Sequence, residues 1–126
     1  MSKKQVATSK APGAIGPYSQ AITAGNWVYT SGQLGMDPET AALADNVQEQ
    51  ARQSLSNVKA ILEEAGASME HVVKTTVYLK DMNDFAAVNE VYATFFTEPY
   101  PARSAVEVAR LPKDALVEIE AVARKK

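Results

Sequence analysis

Apolar and polar positions along this chain follow two periods. Val47, Ala51, Leu55, Val58, Ile61, Leu62 and Ala65 recur every three or four residues, which predicts one apolar face of a helix. Glu49, Arg52, Gln53, Ser56 and Lys59 fall on the opposite face. Asp45, with Gln48 three residues on, has the form of an N-terminal capping box. Gly66 suits the left-handed position that closes a helix. A second helix is signalled after the capping residues Asp81 to Asp84, with Phe85, Val88, Tyr92 and Phe95 as its stripe. Pro99 and Pro101 stop it.

The other segments alternate with period two. Tyr18 to Ala24, the turn Gly25-Asn26 and the aromatic, β-branched run Trp27 to Ser31 read as an early hairpin. In His71 to Leu79, residues Val73, Thr75, Val77 and Leu79 point one way; Lys74, Thr76 and Tyr78 point the other. Two last strands, Ala102 to Ala109 and Leu116 to Ala123, are joined through Arg110 to Asp114. The order strand, strand, helix, strand, helix, strand, strand predicts an α+β layer with both helices on one sheet face. Packing the apolar sides on the helices is expected to leave Arg103, Glu107, Glu118 and Glu120 on the reverse face. That face is mixed in character. A second copy covering it would enclose polar clefts between subunits, a common setting for ligand sites.

With 126 residues and 46% hydrophobic content, the chain is read as one domain, residues 1–126, with room for a real core. It has no cysteine, which excludes disulfides, thiolate metal sites and cysteine nucleophiles. The net charge is −2. Lys3, Lys4, Arg124, Lys125 and Lys126 sit at the ends, leaving eight basic residues against fifteen acidic ones between them. A polyanion-binding surface is therefore a poor expectation unless the ends converge. Met1 to Val6 lacks the apolar core of a secretory signal, and no apolar run approaches ~18 residues. Cytoplasm is the expected location.

Standard catalytic patterns are missing: no phosphate-binding glycine loop, no dinucleotide fingerprint, no Gly-x-Ser-x-Gly elbow. The single histidine, His71, lies among valines and reads as structural or solvated. Asp81, Asn83 and Asp84 resemble calcium ligands but lack the glycine and distal glutamate of such a loop, so capping accounts for them.

Four segments remain. These are Ala14-Ile15-Gly16-Pro17-Tyr18-Ser19-Gln20-Ala21, Thr30-Ser31-Gly32-Gln33, Val73 to Met82, and Pro101 to Glu120. Together, in order and over essentially the whole chain, they resemble the RidA (YjgF-type) reactive-intermediate deaminases. The resemblance implies a chorismate-mutase-like fold with a mixed sheet, assembled as a homotrimer around a central barrel with a ligand cleft at each subunit interface. It implies hydrolysis of 2-imino acids and their enamine tautomers, such as 2-aminoacrylate, to 2-oxo acids and ammonia. This would protect pyridoxal-phosphate enzymes, and the protein itself would use no cofactor and no metal.

Residue roles follow from the same resemblance. Arg103 matches an arginine that binds the substrate carboxylate, and a guanidinium fork suits two carboxylate oxygens. Ser31, Gly32 and Ala105 would add backbone donors. Glu118 matches the glutamate that positions and activates water, and Tyr18 a tyrosine that bonds water or the substrate nitrogen. Asn89 and Phe85 border the cleft. Many relatives carry cysteine where this chain has Ala105; attack by water needs no thiol. Two other readings compete. One is a non-catalytic trimer that binds 2-oxo acids or regulates partner proteins; the other is a ribonuclease or translation inhibitor. An acidic body, a lone histidine and no evident basic-aromatic surface argue against the last.

Overall fold

The hairpin forms where the aromatic and β-branched run predicts it. β2 (Ala21–Ala24) and β3 (Trp27–Thr30) pair antiparallel around Gly25, which takes φ +60°. The computed structural model describes residues 2–126. A strand that the pattern did not signal, β1 (Lys3–Val6), lies outside β2; only Val6 of its four residues is buried. Beyond β3 come β4 (Gln33–Leu34) and the long strands β5 (Val72–Leu79), β6 (Ala102–Glu107) and β7 (Val117–Arg124). The sheet order is β1-β2-β3-β7-β5-β6, with β4 continuing along the same edge of β7 as β3. The β5–β6 pair is parallel and every other pair antiparallel, so the sheet is mixed.

Two helices, α1 (Val47–Glu64) and α2 (Phe85–Tyr92), cover one face. Leu55, Val58, Ile61 and Leu62 of α1 are buried against Val77, Leu79, Val117 and Ile119. The cap of α1 is Asn46, whose Oδ1 accepts the Glu49 N–H at 2.9 Å, one residue later than the Asp45–Gln48 pair expected. Gly66 has φ +87°, as a helix-closing residue should. In α2 the buried stripe is Val88, Val91 and Tyr92, and Phe96 just beyond the helix is more deeply placed than Phe95.

Two expected facings are corrected. The β5–β7 register shifts between Val72 and Lys74, so Val72 is buried and Val73 is 44% exposed. A one-residue irregularity reverses which valine faces inward. The larger correction concerns β6. Its parallel register sets Arg103 beside Thr75 and Ala105 beside Val77, residues buried under the helices. Arg103, Ala105 and Glu107 therefore share the helix-covered face, where Arg103 reaches the rings of α2. Glu118 and Glu120 do lie on the reverse face, opposite Tyr78 and Thr76. The two charges expected to act together project from opposite sides of one sheet.

The chain ends do converge. Lys3 pairs with Ala24, Ala24 with Trp27, and Trp27 with Arg124, one row across four strands. That row is at the far end of β7 from Glu118, about 20 Å away at strand spacing.

Candidate active site

Glu118 follows the start of β7, and the two-residue strand β4 passes beside it, with Leu34 opposite Glu118. Gly32 immediately precedes β4. A Cβ on Gly32 would overlap Glu118 Oε2, so glycine is what lets the backbone come this close. The carboxyl is half-buried. Burial pushes its proton affinity up, and the negative charge of Glu120 adds to the effect. Tyr78, across on β5, is also held protonated above its usual range by burial and by Glu120 and Glu118.

Glu118 opens into a cleft of about 530 Å³ that Tyr18, Ser31 and Gly32 also line. Tyr18 is 50% exposed at its mouth, with Ile15 and Lys113 at the rim. Lys113 and Asp114 take successive left-handed conformations, φ 57° and 56°, and the turn is tied by Lys80 Nζ to Asp114 Oδ1 at 2.8 Å. The inner wall is organised by Gln20, a buried side chain. Its Nε2 donates to the carbonyls of Thr8, Ala11 and Pro12 at 2.8–3.2 Å, and its Oε1 accepts the Thr8 N–H at 2.7 Å. Ser31 is fully engaged: its hydroxyl donates to Ser19 O at 2.6 Å and its N–H to Gln20 O at 2.9 Å. Of the pair named from sequence, Gly32 is the one left to offer a donor to a ligand.

Arg103 occupies a second hollow of about 460 Å³, with Asn89, Tyr92 and Tyr100. Nη1 donates to Asn89 Oδ1 at 2.6 Å. The guanidinium carbon lies 5.1 Å from the Phe85 ring centre and 4.7 Å from that of Tyr92. Tyr92 is itself pinned by a 2.7 Å bond between its hydroxyl and that of Thr75. Among the described residues the ion pairs are Arg52–Glu49 and Lys80–Asp114, so no carboxylate neutralises Arg103. Two rings and one amide fix the plane of the guanidinium and leave further N–H groups for an anion.

The expected residues thus fall into two groups. Glu118, Tyr18, Ser31 and Gly32 share the first cleft; Arg103, Asn89 and Phe85 share the second environment, with Ala105 two residues along β6. Sequence reading missed Tyr92 as a support of Arg103, although positions 85, 89 and 92 recur at helical spacing. It missed the bonding role of Gln20, for which composition held no signal. His71 plays no part: its Nδ1 bonds the Ser68 hydroxyl at 2.7 Å, ahead of β5.

Comparison with known proteins gives the same frame. The family model described as Endoribonuclease L-PSP matches residues 8–125. The 2-iminobutanoate/2-iminopropanoate deaminase of Salmonella typhimurium is 59% identical over 123 residues, covering 95% of this chain and 96% of that protein. The protein of the same name from Escherichia coli is 57% identical with the same coverage. Among solved structures, E. coli TdcF with bound serine matches with a TM-score of 0.93 at 51% identity, over 98% of this chain and 99% of that one. RidA from an Antarctic Psychrobacter matches at 0.94 and 53% identity, over 96% and 98%. Matched nearly end to end by the family model and by relatives more than half identical, the chain belongs to the Endoribonuclease L-PSP family.

Proposed function

We propose that this protein is an imine deaminase. It hydrolyses 2-imino acids and their enamine tautomers, 2-aminoacrylate among them, to 2-oxo acids and ammonia. The observation that carries the reading furthest is the half-buried Glu118 carboxyl, seated on Gly32 beside Tyr18 and raised in proton affinity. A carboxyl whose proton affinity is raised by burial accepts a proton from water more readily than an ordinary one, as a general base requires. The names of the relatives from Salmonella and E. coli support the same reaction.

In this reading Arg103 holds the substrate carboxylate with the N–H groups that Asn89 leaves free, and the Gly32 amide adds a donor. The imine carbon is electrophilic already. Glu118 takes a proton from water as it attacks that carbon and passes it to the nitrogen. The hydroxyl of the resulting carbinolamine then gives up its proton to the nitrogen through the same carboxylate, so that the C=O bond forms as the C–N bond breaks and ammonia departs. The Tyr18 hydroxyl steadies the nitrogen or the water. Side chains on opposite faces of one sheet do not meet on one small molecule within a chain, so the Arg103 hollow of one copy faces the Glu118 cleft of the next. A homotrimer closes such a ring, and covers the exposed Trp27, Tyr29 and Val106 of the reverse face. Removing 2-aminoacrylate would spare pyridoxal-phosphate enzymes from it.

The test is release of pyruvate and ammonia from freshly generated 2-aminoacrylate. Wild type is expected to exceed the uncatalysed rate and Arg103→Ala to lose the excess. A wild type no faster than buffer across several amino-acid-derived imines would overturn the reading. The family description favours a nuclease as a second reading. However, the basic row at the chain ends lies at the opposite end of β7 from Glu118, so cleft and cationic surface do not form one site. Cleavage of RNA by purified protein, lost in Glu118→Gln, would restore it.

A further inference from the structure

Helix α1 buries three polar side chains, Gln50, Ser54 and Asn57, at the i, i+4, i+7 spacing that puts them on one line. Buried polar groups cost free energy unless bonded, and each of these is. Ser54 Oγ donates to Gln33 O at 2.7 Å. Asn57 Nδ2 donates to Leu34 O at 3.2 Å and Met36 O at 3.0 Å, while Gln53 Nε2 bonds Asn57 Oδ1 at 2.8 Å and so orients the amide. Gln50 Oε1 accepts the Leu116 N–H at 2.9 Å, and its Nε2 donates to Ala44 O at 3.0 Å. Gly35 closes the contact, since a Cβ there would collide with the Gln50 backbone.

These bonds grip the chain on both sides of the cleft. Gln33 follows Gly32 directly, and Leu116 stands two residues before Glu118. β4 is only two residues long and makes two register pairs with β7, so its own ladder holds it weakly. The side chains of α1 supply the missing hold. Apolar residues would fill the same space but would take these side-chain donors away from the carbonyls of Gln33, Leu34 and Met36.

We infer that Gln50, Ser54 and Asn57 are positioning residues that set how closely the Gly32 backbone sits against the Glu118 carboxyl. A helix that touches no substrate thereby governs the hydration of that carboxyl. Its effect on turnover rests on the deaminase reading; its effect on Glu118 does not. The other groups that face Glu118 are Glu120 on its own strand, Tyr78 on β5, and Tyr18 and Lys113 across the cleft. None of the variants below alters them.

The experiment is a carbon-13 NMR titration of Glu118 in the resting protein, paired with kcat and KM across pH. Ser54→Ala unties Gln33; Asn57→Leu removes two donors at similar volume; Ser54→Thr keeps the hydroxyl. In the first two, the Glu118 midpoint is expected to move down toward that of an ordinary glutamate as water enters. Their kcat should fall by up to about 10²-fold, the scale of a 1 Å misplacement, while KM changes far less. Ser54→Thr should hold the wild-type midpoint. If Asn57→Leu does not fold, Ser54→Ala decides. An unchanged midpoint in a folded variant, with or without lower thermal stability, overturns the inference. An inactive wild type sinks the deaminase reading instead, and the titration still decides this one.

Discussion

At Glu118 stability and the proposed chemistry pull in opposite directions. Burial raises the proton affinity of the carboxyl above its ordinary value of 4.5 in the folded state. A group raised in this way favours the folded state below its unfolded midpoint and loses that contribution as pH climbs through its folded one. Glu118→Gln should therefore raise the melting temperature at pH 7, with the gain fading below about pH 4.5, a comparison two thermal melts provide. The same substitution should lower kcat by roughly 10²–10⁴-fold, the range for losing a general base, while 2-oxobutyrate binding measured by calorimetry changes little. Arg103→Lys keeps the charge but loses the fork between Phe85 and Tyr92, so it should weaken 2-oxobutyrate binding with kcat less affected. Ala105→Cys should leave turnover near wild type, because attack by water asks nothing of a thiol. Arg103 and Glu118 were legible as candidate residues, because their residue types stand at matching motif positions. The face from which Arg103 projects was not, because at an edge strand the side chain followed rings and an amide on α2 rather than an apolar alternation.

The elements show where periodicity is a sufficient guide. α1 was legible from its apolar stripe because eighteen residues sample the helical period many times. Its start was less so, since Asp45 and Asn46 are both good caps with an acceptable partner three residues on. The structure separates them: Asn46→Ala should cost about 1 kcal/mol and Asp45→Ala close to nothing in chemical denaturation. β1 escaped the reading because Lys3, Lys4 and Gln5 stay exposed on an edge, where no alternation is required. The bulge at Val72–Val73 escaped it because two adjacent valines give the same signal in either register. The polar line on α1 escaped it for a further reason: its residues are buried to satisfy a backbone far away in sequence, and composition carries no trace of such a partner.

For the molecule as a whole, the mixed sheet with two covering helices was predicted and found, while the arrangement of its charges required the register. If Arg103 and Glu118 serve one substrate from neighbouring copies, two inactive variants should repair each other. Arg103→Ala and Glu118→Gln, unfolded together, mixed and refolded, should recover a measurable part of wild-type activity, because some interfaces then combine two intact halves. Absence of any recovery, with mixed assembly verified by mass spectrometry, would place both residues' work within single chains.

The opposite-face placement of those two side chains has a further consequence, for amount rather than geometry. If the two halves of the proposed site belong to different copies, the catalyst is created by encounter and obeys mass action in its own chain. Diluted below the strength of the contact, it should lose activity faster than it loses protein. Output would then climb more steeply than expression, giving a threshold in abundance without any regulator to impose it.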